Sequence, residues 1–230
     1  MNVTWITQAG LVFETEKITV MVDPYLSNSV GELNPLKNRR IPVDESIFDI
    51  HPDVIIVTHE HLDHLDPDTL KVFLGREDKP ITVLAPYNAY KKLLEFGGPH
   101  NYVLLAPHSV WSEGGVTFYA VNAEHSDRCA AGYIIDDGSK TYYVSGDTLY
   151  NYDVIDDVIE LCEDGVDYAF LPINGVGNNM NARDAADFAY EIGAKCAIPL
   201  HYGLFDDIDP KDFDFENSLI LKPYVKGKLN

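Results

Sequence analysis

The chain has 230 residues, and its 17 Lys and Arg against 37 Asp and Glu leave a formal net charge of −20. Affinity for phosphate backbones and anionic lipid headgroups comes mostly from Lys and Arg, so nucleic acid and membrane are excluded as expected partners and a small-molecule substrate is favoured. With 46% hydrophobic and 23% charged residues, the composition is that of a globular protein able to bury a sizeable core.

The first elements are short strands over residues 3–6, 11–14 and 18–22, broken by Gly10 and by Thr15-Glu16-Lys17, which reads as an antiparallel start. After Pro24 the chain turns irregular, until residues 53–58 supply an uninterrupted apolar run that suits a strand covered on both faces. A helix over 67–74, a strand over 81–84, a helix over 87–96 and a strand over 102–105 follow, an alternation that argues for a layered α/β fold. The second half restarts with strands over 116–121, 132–135 and 141–145. It then continues with a helix over 154–162, a strand over 168–171, a helix from Ala182 to about Ile192 that Asn181 can cap, and a strand over 196–200. No low-complexity linker separates the halves, so residues 1–230 are expected to form one domain. No run of 18 apolar residues and no basic leader before an apolar segment occur, which points to a soluble, cytoplasmic protein. Cys129, Cys162 and Cys196 form no Cys-x-x-Cys pair and read as reduced thiols.

The chemistry is concentrated directly after the buried strand, in Thr58-His59-Glu60-His61-Leu62-Asp63-His64. At a strand–loop junction residues i and i+2 share a side, so His59 and His61 can converge on one ion while Asp63 and His64 reach a neighbouring point. Imidazole and carboxylate without thiolate suit Zn²⁺ or Mn²⁺ first, with Fe also accepted. Taken singly, His125, Asp147 and His201, each at a predicted strand end in the second half, read as caps or turn formers, and His51, His100 and His108 as ordinary loop residues.

This His-x-His-x-Asp-His segment resembles the signature of the metallo-β-lactamase superfamily. That resemblance implies a four-layer αββα sandwich, two mixed β-sheets flanked by helices, with a site for one or two divalent metal ions at its edge. It further implies His59, His61 and His125 on the first metal, Asp63, His64 and His201 on the second, and Asp147 bridging them. Asp23, at the end of an early strand, matches an acidic position that supports a ligand imidazole from behind. Thr4-Trp5-Ile6-Thr7-Gln8-Ala9-Gly10, Asp23-Pro24-Tyr25-Leu26-Ser27, Gly146-Asp147-Thr148 and Ile198-Pro199-Leu200-His201-Tyr202 are similar to the short metal-dependent hydrolases related to L-ascorbate-6-phosphate lactonase. Gln8 stands where those relatives commonly carry His.

The implied function is hydrolysis, in which a metal-bound hydroxide attacks a small ester such as a lactone or sugar-phosphate lactone, with Asp63 and Asp147 as the catalytic carboxylates. For substrate contact the sequence offers Arg128, which either grips an anion or forms an ordinary salt bridge. It also offers Asn174 and Asn178 in a Gly/Asn-rich loop, and Tyr202, which either donates to an oxyanion or packs on the fold. Two alternatives stay open: a phosphodiesterase or nuclease on the same scaffold, for which the small basic cluster Lys37, Arg39 and Arg40 is the sole local support, and a non-catalytic metal-binding protein. A homo-oligomer also stays open, because the tail from Asp209 to Asn230 can pack near the site or join a neighbour.

Overall fold

Residues 54–57 alternate between two cores. Val54 and Ile56 pack in one apolar cluster with Val20, Val22, Phe118 and Tyr133, while Ile55 and Val57 pack in another with Met21, Leu70 and Phe73. A strand with both faces covered has no polar side, and this is the physical reason for its uninterrupted apolar sequence.

A computed structural model describes residues 1–229. The first half supplies β1 (Asn2–Trp5), β2 (Leu11–Glu14), β3 (Thr19–Val22), β4 (Val54–Ile56), β5 (Thr82–Ala85) and β6 (Asn101–Leu104). The second half supplies β7 (Val110–Glu113), β8 (Val116–Asn122), β9 (Ala131–Asp136), β10 (Thr141–Val144), β11 (Tyr168–Pro172), β12 (Cys196–Leu200) and the short β13 (Gly227–Lys228). One sheet has the order β13-β1-β2-β3-β4-β5-β6 and the other β12-β11-β10-β9-β8-β7. Each is mixed: β1 to β3 are antiparallel and β3 to β6 parallel, while β7 to β10 are antiparallel and β10 to β12 parallel. Hairpins followed by crossovers therefore recur in both halves.

The helices are α1 (Ser29–Leu33), α2 (Pro67–Leu74), α3 (Tyr87–Leu93), α4 (Tyr152–Leu161) and α5 (Ala182–Glu191). Leu70, Phe73 and Leu93 of α2 and α3 cover the outer face of the first sheet, and Val154, Val158 and Phe188 of α4 and α5 pack with the second. Their starts are chemically set. The Asp66 carboxylate accepts from Asp68 N with Pro67 following it, and the Asn181 Oδ1 accepts from Arg183 N and Asp184 N. Two face-to-face sheets, each covered on its outer side by a pair of helices, match the four layers expected.

Several local differences have identifiable causes. The helix expected over 87–96 ends its α turns at Leu93 and tightens into a 3₁₀ turn over Leu94–Phe96, because Gly97 takes φ +63°. The helix expected from residue 154 begins at Tyr152, since Asn151 caps it by accepting from Asp153 N. β7, absent from the expected elements, is an edge strand whose Val110 is 54% exposed, so its pattern has no apolar face to announce it. The irregular stretch after Pro24 contains α1 and two 3₁₀ turns, Pro35–Lys37 and Glu45–Asp49. The tail packs back on its own chain: Phe213 and Phe215 are buried, Tyr224 N donates to Trp5 O, and β13 joins β1. Asn230 lies outside the described residues. No helix among the described residues is long and apolar enough to cross a membrane.

Candidate metal centre

The residues singled out in the sequence converge on one edge of the sandwich. Asp23 follows β3, the His59 to His64 loop follows β4, and His125 with Arg128 lies between β8 and β9. Asp147 follows β10, Asn174 and Asn178 follow β11, and His201 with Tyr202 follows β12. Parallel strands all end on this side, and ligands of open α/β sheets bind where such strand ends face solvent. A separate cleft of about 500 Å³ lies at the opposite strand ends, lined by residues such as Glu14, Lys17 and Asp137, without comparable convergence of imidazoles.

Two trios are resolved. In the first, His59 Nε2 lies 3.0 Å and His125 Nε2 3.1 Å from His61 Nδ1. In the second, His201 Nε2 lies 3.3 Å and His64 Nε2 3.9 Å from Asp63 Oδ2. Asp147 stands between them. Its Oδ1 is 3.3 Å from both His64 Nε2 and His201 Nε2, and its Oδ2 is 3.9 Å from His125 Nε2. Nitrogen ligands at about 2.0–2.1 Å from one tetrahedral ion stand roughly 3.3 Å from each other, so these separations have the size of a metal's coordination shell. A second test gives the same answer. His64 Nε2 and Asp147 Oδ1 are sealed from solvent and face each other at 3.3 Å without hydrogen-bond geometry, an arrangement that a bound cation completes. The residues present therefore fit one or two divalent ions.

The electrostatics divide along the same line. Burial, reinforced by the neighbouring His64, pushes His59 well below the usual imidazole range, and burial also lowers His125, so both keep a free lone pair. Burial would likewise lower His64 and His201, but the carboxylates of Asp147, Asp23 and Asp63 outweigh it. His64 rises well above the ordinary value and His201 to about 9. Against burial, His64 and His201 hold Asp63 and Asp147 ionised far below the usual carboxylate range. The second trio is thus a lattice of imidazoliums and carboxylates in which a divalent cation can replace protons.

Supporting contacts fix the ligand directions. Asp23, fully buried, accepts from His64 Nδ1 at 2.7 Å, from Thr58 N at 2.7 Å and from Thr58 Oγ1 at 2.6 Å, which leaves His64 Nε2 facing the centre. Asn178 carries φ +65°, and its carbonyl accepts from His125 Nδ1 at 3.1 Å. Gly146 carries φ +61°, and a Cβ there would stand 2.8 Å from Thr58 Cβ, so only glycine lets the Asp147 loop lie this close to the His59 loop.

Two residues without an expected role contribute to the site. Asp127, 5% exposed, accepts from Glu60 N at 3.1 Å, Asn88 Nδ2 at 2.8 Å and Cys129 N at 2.9 Å, and so ties the His59–His61 turn to the His125 loop. Gln8 donates from Nε2 to Asp63 Oδ2 at 2.8 Å. Neither residue type announces such a role, because the partners are far away in sequence.

The expected substrate-contact residues are placed unequally. Asn174 is buried with Oδ1 unpartnered, whereas the side chain of Asn178 is exposed and its backbone carbonyl makes the site contact. Arg128 is exposed and forms no ion pair among the described residues, so the salt bridge weighed for it is not formed. Tyr202 is 7% exposed and packs on Trp5 with ring centroids 4.9 Å apart; burial, with Asp209, pushes its hydroxyl up to about 12. The basic cluster does not form a patch. Arg39 donates to Tyr25 O, Thr7 Oγ1 and the Tyr224 hydroxyl, and Arg40 pairs with Asp207.

Comparison with known proteins adds the lineage. Residues 19–202, a span holding both trios, match the Beta-lactamase superfamily domain. The chain belongs to the beta-lactamase superfamily. Within this superfamily it is 28% identical, over 221 residues covering 93% of this chain and 90% of the relative, to a UPF0173 metal-dependent hydrolase of Pyrobaculum islandicum. It is 29% identical over 224 residues to one of Exiguobacterium, covering 90% of this chain and 88% of the relative. The superfamily fold is seen again in a metallo hydrolase of Ignicoccus hospitalis, which superposes with a TM-score of 0.77 at 19% identity over 100% of this chain and 99% of that one. The chain thus groups with metal-dependent hydrolases of the beta-lactamase superfamily and has their two-sheet fold.

Proposed function

We propose that the protein is a metal-dependent hydrolase of small carbonyl esters, lactones foremost and anionic ones included. The observation that supports this reading best is the convergence of His59, His61 and His125 beside Asp63, His64 and His201, with one oxygen of Asp147 turned to each trio. One or two divalent ions, Zn²⁺ or Mn²⁺ before Fe, would supply activated water and polarise the scissile carbonyl. Asp63 and Asp147 are the catalytic carboxylates in this reading. Their neighbours keep them ionised, and Asp63, with 20% of its side chain exposed against 7% for Asp147, is the one able to pass a proton to solvent.

Tyr202, protonated throughout the working pH range, can donate from its hydroxyl to an oxyanion, whereas Asn174 Oδ1 is sealed from solvent and offers no direct contact. Arg128, unpaired and on the same loop as His125, is suited to hold an anionic group on the substrate. Small substrates are favoured over polymers, since the net charge of −20 repels polyanions and Arg39 and Arg40 are engaged within the protein.

The test is metal analysis of the purified protein followed by a panel of sugar-phosphate lactones, simple lactones, thioesters and phosphodiesters. A His61→Ala, Asp147→Ala double variant is expected to keep its circular dichroism while losing bound metal and all hydrolysis. Full activity without metal would sink the site assignment, and a large preference for phosphodiesters would move the protein to phosphoryl transfer.

A further inference from the structure

Thr58 follows β4, and the alternation of the strand puts it on the side of Val54 and Ile56, where another Val would continue the apolar pattern. A hydroxyl that is 1% exposed is costly unless it is hydrogen-bonded. The residue is held on three sides. Thr58 N donates to Asp23 Oδ1 at 2.7 Å, Ala131 N donates to Thr58 O at 3.0 Å, and Gly146 lies so close that a Cβ there would stand 2.8 Å from Thr58 Cβ. Contacts from both sheets therefore fix the direction of its hydroxyl.

Three groups meet at that hydroxyl. Thr58 Oγ1 is 2.6 Å from Asp23 Oδ2, 3.1 Å from His59 Nδ1 and 3.4 Å from His64 Nδ1. A hydroxyl has one proton and two lone pairs, whereas an ionised carboxylate only accepts, so the proton of the shortest contact is the hydroxyl's and Oγ1 is left as an acceptor. His64 gives its own Nδ1 proton to Asp23 Oδ2 at 2.7 Å. The acceptor site of Oγ1 therefore falls to His59, whose Nδ1 carries the proton. Its other ring nitrogen, Nε2, then keeps a free lone pair, and that atom lies 3.0 Å from His61 Nδ1 in the first trio.

We propose that Thr58 is a positioning residue of the first metal position: its hydroxyl accepts from His59 Nδ1 and donates to Asp23, so that one buried carboxylate directs a ligand in each trio. Asp23 holds His64 directly and His59 through Thr58. The chain His59–Thr58–Asp23–His64 runs through side chains that are all at most 1% exposed, so water does not compete for its hydrogen bonds. A Val at residue 58 would fill the same space and leave His59 Nδ1 without an acceptor, which gives the hydroxyl at the end of an apolar run its purpose. This inference rests on the reading of the site as a metal centre and extends to the first trio the support that Asp23 gives to His64.

The test uses the full chain, stripped of metal and labelled with ¹⁵N in its histidines. Long-range ¹H–¹⁵N spectra report which ring nitrogen of His59 carries the proton, its signals being identified by their loss in His59→Gln, and chelator competition measures Zn²⁺ affinity. The variants are Thr58→Val, which keeps the shape and removes the hydroxyl, and Thr58→Ser, which keeps the hydroxyl. The wild type and Thr58→Ser are expected to hold the His59 proton on Nδ1 and to bind Zn²⁺ within about threefold of each other. Thr58→Val is expected to populate the Nε2-protonated form and to bind Zn²⁺ at least about tenfold more weakly. A Thr58→Val protein in which affinity falls while the proton stays on Nδ1 makes Thr58 a packing residue and overturns the proposal. So does unchanged affinity in Thr58→Val, or a loss in Thr58→Ser as large as that in Thr58→Val. If Thr58→Val does not fold, the wild-type spectrum decides, because a His59 proton on Nε2 there overturns the proposal and one on Nδ1, kept in Thr58→Ser, sustains it. A wild type that binds no Zn²⁺ removes the metal-centre reading and this proposal with it, even where the His59 proton follows the Thr58 hydroxyl.

Discussion

Asp127 coordinates nothing in the arrangement described, yet replacing it should weaken metal binding. Its carboxylate is nearly buried and accepts three hydrogen bonds of 2.8–3.1 Å, one of them from the peptide between His59 and His61. A hydrogen bond to a charged group contributes about 1.5–3 kcal/mol, but water can reach part of the exposed loop and the three bonds share one acceptor group, so Asp127→Ala should cost roughly 3 kcal/mol in all. At about 2–4 °C per kcal/mol for a chain of this size, the melting temperature should fall by about 6–12 °C. The larger effect is directional. Without the clamp the His61 turn and the His125 loop move independently, and metal affinity should fall about 10- to 100-fold, the usual range for a residue that orients a ligand. Chelator competition for the first equivalent of Zn²⁺, with differential scanning fluorimetry on the same samples, measures both. A lower melting temperature combined with a dissociation constant within about threefold of the wild type would refute the clamp, leaving Asp127 a purely structural residue.

Two further outcomes are expected. Gly146→Ala forces a Cβ against Thr58 in a left-handed backbone conformation and should displace the Asp147 loop; metal stoichiometry should fall and stability drop by about 2–3 kcal/mol, and unchanged values for both would mean that the loops are not held as closely as described. In chelator-treated protein His201 titrates at about 9 against 6.5 when unfolded, so its contribution is complete below about pH 6.5 and is lost as pH rises through 9. The upper limit of that contribution is roughly 3 kcal/mol, so the metal-stripped protein should melt several degrees lower at about pH 9.5 than at about pH 6.5. A His201→Gln variant that keeps the full drop would assign the effect to another group.

How much of this was legible depends on the range of the contacts involved. The run 53–58, the cap at Asn181 and the segment from His59 to His64 are local signals, since strand period, capping and His-x-His-x-Asp-His spacing act within a few residues. His125, Asp147 and His201 were picked out only because a resemblance named what to seek, as a single imidazole or carboxylate at a strand end usually serves a turn. Gln8 stands where relatives commonly carry His, yet neither it nor Asp127 carried an expected role at the site. The Asp127 contact to Glu60 spans 67 residues, and Gln8 reaches His201 across 193. Arg128 and Asn178 show the converse: both stand on site loops as expected, but whether a side chain or a carbonyl faces inward depends on backbone angles that composition does not record.

The sequence by itself determined the donor inventory and the alternation of elements, because residue chemistry and short-range periodicity are written along the chain. Only the tertiary structure decided which oxygen of Asp147 faces which trio, that Asp23 leaves His64 Nε2 turned to the centre, and that the carboxamide of Gln8 donates to Asp63. Those are relations between strand ends brought together by packing two sheets face to face, and no local rule sets their distances.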